Sequence, residues 1–247
     1  MQYGTKLAEG KTKIIYAHPE DQSLAYMLQK DSISAGDGAR RNEIEGKGAI
    51  SGRTSANVFA LLNRSGVRTH YKADPEPGVM VVERCDMLPL EVVMRRLATG
   101  SYCRRHPETP EGTRFSPPLV EFFYKDDANH DPQIDLAGIV EKGLATAEEV
   151  HFIEQEGTRV FELLEQTWAE RGVQLVDLKI EFGRTPDGTL IVADMIDNDS
   201  WRLWPDGDKS KMLDKQIYRN LQTVTDEALQ NLKAKYEEVR DITESFR

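Results

Sequence analysis

The stretch from Leu175 to Ile196 constrains the fold most tightly. Val176, Leu178, Ile180 and Phe182 alternate with Asp177, Lys179 and Glu181, the period-two pattern of a strand with one apolar and one charged face. Pro186-Asp187-Gly188 is a turn signal, and Leu190-Ile191-Val192-Ala193 reads as the returning strand. A two-residue loop at Asp187-Gly188 and a four-residue loop from Pro186 to Thr189 both set Asp194 directly opposite Glu181. An odd-length loop breaks that pairing.

Two carboxylates facing each other across a ladder repel. The repulsion disappears if a hard divalent cation sits between them, and magnesium commonly takes one or two carboxylates together with substrate phosphates. On that reading Glu181 and Asp194 are metal ligands, and removing either charge leaves the fold intact or slightly more stable. Lys179, one pleat away on the same face, then contacts a phosphoryl oxygen or developing charge. The competing reading is a solvated charged face of an antiparallel sheet. The hairpin alone does not decide between them.

Around it, the first third of the chain reads mainly as strands: Lys13 to Ala17, Leu24 to Leu28 and Val79 to Glu83. Ile50, Thr54, Val58 and Leu61 recur at helical spacing before a stop at Gly66. Polar residues between Leu119 and Lys142 predict an irregular loop. Thr146 and Glu149 form a capping box ahead of an apolar stripe from Val150 to Trp168, and a last helix begins near Thr225. Strands segregated from helices predict an α+β fold. The break at Pro89 predicts two lobes, a β-rich one over residues 1–88 and an α+β one over residues 89–247 carrying metal and substrate sites.

The 247 residues carry a formal net charge of -10. Such a surface repels polyanions, so nucleic acid and anionic membranes are poor partners. A phosphate-bearing ligand then requires a local cluster of basic groups. Two cysteines exclude a disulfide scaffold. With no signal peptide visible and no apolar run near the roughly 20 residues of a membrane helix, a cytoplasmic location is expected. Gly4 stands one residue too far from Gly10-Lys11-Thr12 for a P-loop, no GxGxxG occurs, and the five histidines lack metal-ligand spacing.

Several segments, in order, resemble the SAICAR synthetase family: Glu9-Gly10-Lys11-Thr12-Lys13, Ser34 to Arg40, Arg95 to Ser101, Lys125 to Pro132, Asp177 to Gly183, Asp194 to Trp204 and Lys215 to Arg219. Asp197-Asn198-Asp199 stands where many bacterial members carry Ser-Pro-Asp, and is similar to the synthetase domain of the animal bifunctional enzyme. The resemblance implies a two-lobed, ATP-grasp-like fold. It also implies an ATP-dependent ligase of purine biosynthesis that joins L-aspartate to carboxyaminoimidazole ribonucleotide (CAIR) through an acyl phosphate, with Mg2+. It further implies Lys11 and Lys13 on ATP phosphates, the segment Glu83, Arg84, Cys85 and Met87 as an adenine hinge, and catalytic roles for Lys179 and Asp37. Arg95, Ser101 and Arg202 then hold the ribonucleotide, with Lys125, Asp199 and Arg219 as further substrate contacts. The expected partners are ATP, CAIR, L-aspartate and further copies of the chain in a homo-oligomer. A small-molecule kinase with the same ATP and magnesium clamp, and a non-catalytic nucleotide-binding homologue, are the competing functions.

Overall fold

The computed structural model describes residues 1–36 and 39–247. The chain forms two compact units, one of residues 1–87, 182–199 and 213–247, the other of residues 88–181 and 200–212. The linear division into 1–88 and 89–247 therefore does not describe the second half. Two later segments rejoin the first unit, and Asp194 lies in one of them. Their partners are distant in sequence, so no local composition change marks the return.

In the first unit an antiparallel sheet runs in the order Lys6–Glu9, Lys13–Ala17, Leu24–Gln29, Val79–Glu83, Tyr71–Glu76. Its register sets Ile15 against Met27 and Met27 against Met80, with both methionines buried. The helix Lys47–Arg64 buries Ile50, Thr54 and Val58, as their spacing predicts; Leu62 is buried in place of the expected Leu61. The helix Asp226–Thr243 is capped by Thr225, whose hydroxyl accepts from the Ala228 amide. Ile33, Ile44, Ile50, Tyr218, Leu232 and Tyr236 form a shared apolar cluster of this unit.

The end of the long strand Val173–Arg184 also belongs here, with Gly183 paired to Met87 and Arg184 to Asp86. Beyond it the Thr185 amide donates to the Thr189 carbonyl at 2.9 Å and the Gly188 amide to the Thr185 carbonyl at 2.8 Å. The loop is thus Pro186-Asp187-Gly188, an odd number of residues, and Gly188 takes the φ of +85° that closes it. The even-loop registers that set Asp194 opposite Glu181 do not form. The returning strand Leu190–Ala193 lies along residues 68–70, the Val192 amide donating to the Arg68 carbonyl and the His70 amide to the Val192 carbonyl. His70 is buried against the Phe59 ring at 5.0 Å. Burial, then the charges of Lys13 and Lys72, lower its pKa from 6.5 to about 3.

In the second unit the sheet runs Gln133–Ile134, Arg114–Tyr124, Leu90–Leu97, then Val173 to Glu181, with Trp201–Pro205 also on that last strand. The helix Ala147–Ala169 buries Val150, Ile153, Val160, Phe161, Leu164 and Trp168, and Trp168 meets Trp201 edge to face at 5.3 Å. Its capping box is present: the Glu149 amide reaches the Thr146 hydroxyl and the Thr146 amide the Glu149 carboxylate. The loop expected from Leu119 is corrected. Residues 119–124 complete a strand that pairs Val120 with Met94 and Phe122 with Val92, and Leu136–Glu141 is a short helix. The apolar side chains of 119–123 outweigh the turn formers, which begin only at Asp126. Among the described residues no helix is long and apolar enough to cross a membrane.

Two stability predictions follow from these elements. Thr146→Ala, which removes the cap, lowers unfolding stability by about 1 kcal/mol, whereas Leu164→Ala, which opens the core, costs about 2–5 kcal/mol; urea titration reads both. His70 binds its proton in the unfolded chain below pH 6.5 but in the fold only near pH 3. Its share of stability is therefore complete above pH 6.5 and drains as pH falls, with a slope approaching about 1.4 kcal/mol per pH unit. Urea midpoints of the wild type and His70→Leu between pH 7 and pH 4 check this: the wild type should lose the larger amount on acidification.

Candidate functional site

In the first unit Lys13 opens its strand, paired with Gln29. Its ammonium forms an ion pair with Asp194, the residue directly after the strand Leu190–Ala193. Asp194 has a φ of +66°, which turns the chain out of the strand. Aspartate tolerates this left-handed conformation better than most side chains. Lys11, exposed, lies at the bend just before this strand, and its carbonyl accepts from the Ser32 hydroxyl at 2.6 Å.

The segment Glu83 to Met87 is anchored through backbone. The Glu83 amide donates to the His70 carbonyl and the Arg84 amide to the Ser23 carbonyl. Glu83 holds Lys72 at 2.6 Å, and Arg84 donates to the Gln22 carbonyl at 3.1 Å. Cys85 packs its sulfur 3.8 Å from that of Met87, whose side chain is exposed. Burial, then the charges of Glu83 and Asp86, push the Cys85 thiol up to about 11. It stays a neutral, apolar surface at ordinary pH.

Asp199 belongs to a second cluster of the first unit. Its carboxylate accepts from Lys215 at 2.9 Å and from the Tyr236 hydroxyl at 2.9 Å, and lies 3.9 Å from the buried Lys47 ammonium. Burial works against the charge, but Lys47 and Lys215 outweigh it and hold the Asp199 carboxyl below the usual range. Burial, with Asp199's charge beside it, raises Asp197. Arg219 is exposed on the short helix Gln216–Asn220. Asp37 lies outside the described residues.

In the second unit Glu181 is buried and each of its oxygens meets a lysine: Lys179 at 2.7 Å and Lys125 at 2.7 Å. Lys179 also reaches Glu91 at 3.3 Å. Burial opposes the Lys179 charge, yet the carboxylates of Glu181 and Glu91 raise its pKa above the ordinary lysine value. The charge of Glu181 is thus balanced by lysines. Removing it leaves Lys179 with Glu91 alone, so the repulsion expected from a facing carboxylate is replaced by an attraction that would be lost.

Arg95, Ser101 and Arg202 come together here as well. Arg95 donates to Asp177 at 2.8 Å and to the Ser101 hydroxyl at 3.2 Å, and Arg202 donates to the same Asp177. The sequence reading singled out neither Glu91 nor Glu121, the latter bonded to Arg95 at 2.5 Å. Glu121 fell inside the expected loop, and only the strand register brings it beside an arginine.

These placements accompany a clear kinship. The family model for SAICAR synthetase matches residues 6–235. The phosphoribosylaminoimidazole-succinocarboxamide synthase of Herpetosiphon aurantiacus is 95% identical over 247 residues, spanning all of both chains. The bifunctional phosphoribosylaminoimidazole carboxylase/phosphoribosylaminoimidazole succinocarboxamide synthetase of Drosophila melanogaster is 46% identical over 239 residues, 94% of this chain and 56% of that longer protein. Among solved structures, a SAICAR synthetase in complex with ADP superposes with a TM-score of 0.83 at 34% identity, covering 94% of this chain and 97% of that one. With its fold, ordered motifs and nearly full length accounted for in this way, the chain belongs to the SAICAR synthetase family.

Proposed function

We propose that the chain uses ATP to join L-aspartate to the carboxylate of CAIR, releasing ADP and phosphate, with the site residues in the following roles. The substrate carboxylate attacks the γ-phosphoryl group, and ADP leaves. The acyl phosphate so formed is attacked by the aspartate amine, which loses a proton as the amide forms and phosphate departs. Water exclusion protects that mixed anhydride.

The observation that carries the assignment of roles is the state of the carboxylates. Asp194 is paired with Lys13, and Glu181 with Lys179 and Lys125. A bound polyphosphate offers lysines a stronger anionic partner, and the carboxylates they release are hard oxygen donors of the kind magnesium takes. The partners exchange while local charge stays balanced. Each carboxylate is a candidate magnesium ligand in its own unit, and the ion supplies charge neutralisation to the nucleotide phosphates. Lys13, with Lys11 beside it, takes ATP phosphate oxygens, and Lys179 the transferring phosphoryl group. The exposed Met87 and neutral Cys85 offer adenine an apolar surface, with the backbone from Glu83 to Arg84 behind them.

In the second unit Arg95, Ser101 and Arg202 address the ribonucleotide phosphate, and Lys125 is a further substrate contact. Asp199 and Arg219 keep their proposed substrate roles in the first, and Asp37, outside the described residues, keeps its proposed catalytic role. Exposed Leu136, Val140 and Phe152 are apolar surface of the kind a second copy covers, in keeping with a homo-oligomer. A kinase with the same clamp would yield a stable phosphorylated product without an amine, and a non-catalytic homologue would bind nucleotide without turnover; family membership favours neither.

ADP release by the purified protein should require CAIR and aspartate together, in one-to-one ratio with SAICAR, as a coupled ADP assay with product chromatography reads. ADP formed equally well without aspartate sinks the ligase assignment. Glu181→Gln should lower kcat by about a hundredfold or more. It should also destabilise the fold by about 1–3 kcal/mol, because half-buried Lys179 loses a charged partner. An unchanged kcat removes Glu181 from the site.

A further inference from the structure

Asp177 sits at a level of its strand where arginine flanks it on both sides. It pairs with Arg95 on one neighbouring strand and with Arg202 on the other. A single carboxylate oxygen, Oδ2, accepts from Nη1 of both guanidiniums. Arg95 is further committed, donating from Nε to Glu121 at 2.5 Å and from Nη2 to Ser101 at 3.2 Å. The other oxygen of Glu121 accepts from Arg105 Nη2 and from Gln133 Nε2. Two carboxylates thus alternate with three guanidiniums, all within the second unit.

Exposure gives this array a direction. Arg95, Asp177 and Glu121 are no more than 4% exposed, while the side chains of Arg202 and Arg105 keep 15% and 29%. The closed inner part therefore carries the outer forks. Gly100 completes the arrangement, because a Cβ there, at a φ of +59°, would stand 2.4 Å from Arg202 Nη2. The backbone is cut back where the Arg202 fork lies. Guanidiniums this close repel unless carboxylates separate them, and a long side chain loses rotamer freedom when it binds an anion unless it is already fixed. Three positive and two negative groups leave the array net cationic in a strongly acidic chain.

We propose that Asp177 and Glu121 are positioning residues for recognition of the substrate's phosphate group. Asp177 sets Arg95 and Arg202 at one spacing around Ser101, and Glu121 locks Arg95 from behind and draws Arg105 into the array. This rests on the ligase reading above, and it assigns to two buried acids the preorganisation that a bidentate arginine needs for a phosphate dianion.

The test compares CAIR with its dephosphorylated nucleoside as substrates. The wild type should prefer the nucleotide strongly in kcat/KM. In Asp177→Asn that preference should fall about tenfold or more through KM for CAIR, with KM for ATP and kcat/KM for the nucleoside nearly unchanged. Glu121→Gln should show the same signature more weakly, and Asp177→Glu should recover part of the preference. Gly100→Ala, which displaces the Arg202 fork without removing a charge, gives a second reading if Asp177→Asn fails to fold. Equal losses on nucleotide and nucleoside, or folding failure in both variants, would mark the array as purely structural and overturn the proposal. A wild type that ligates but does not discriminate overturns it while the ligase assignment stands; a wild type that does not ligate sinks both.

Discussion

Basic side chains in this acidic chain are held by carboxylates until something better is offered to them. Lys13 rests on Asp194, Lys125 and Lys179 on Glu181, and Arg95 with Arg202 on Asp177. A cation left unpaired in a half-buried position pays desolvation without return. Pairing removes that penalty while keeping the positive group in place. The same pairing gives the buried carboxylates of Glu181 and Asp177 cationic partners. For an enzyme that handles a triphosphate and a phosphorylated substrate, this is a storage arrangement for charge. In the proposed exchange, incoming phosphates replace side-chain carboxylates as partners, and no new charge needs to be buried.

The two kinds of pair differ in how freely they exchange. Lys13 and Lys125 keep 26% and 42% of their side-chain surface exposed and are single ammonium groups on flexible stems, suited to moving between partners. Arg95 is closed in and held by three different side chains. It suits fixed recognition. On the proposed assignment, the lysines go with the groups that change during the reaction, and the arginines with a phosphate that stays intact through it.

Much of the fold was legible because it rests on local patterns. Strands 13–17, 24–28 and 79–83, the capped helix after Thr146 and the helix after Thr225 all follow from spacing and end signals. The hairpin at Pro186-Asp187-Gly188 shows where local reading stops. Its turn residues fit two-, three- and four-residue loops alike, and the single added residue changes which carboxylate faces which. The return of residues 182–199 and 213–247 to the first unit, and the burial of Asp177 and Glu121, depend on partners far along the chain. The site acids were visible as residue types. Which lysine or arginine each acid pairs with was not, because a charged alternation looks the same on a solvated face as in a buried network.

The account is tested most directly by a crystal structure of this chain with magnesium and ADP, read at Lys13 and Asp194. Partner exchange predicts that the Lys13 ammonium leaves Asp194, opening the pair beyond about 4 Å, and bonds a phosphate oxygen while Asp194 turns to the metal. A Lys13–Asp194 ion pair that persists with the nucleotide bound would contradict it.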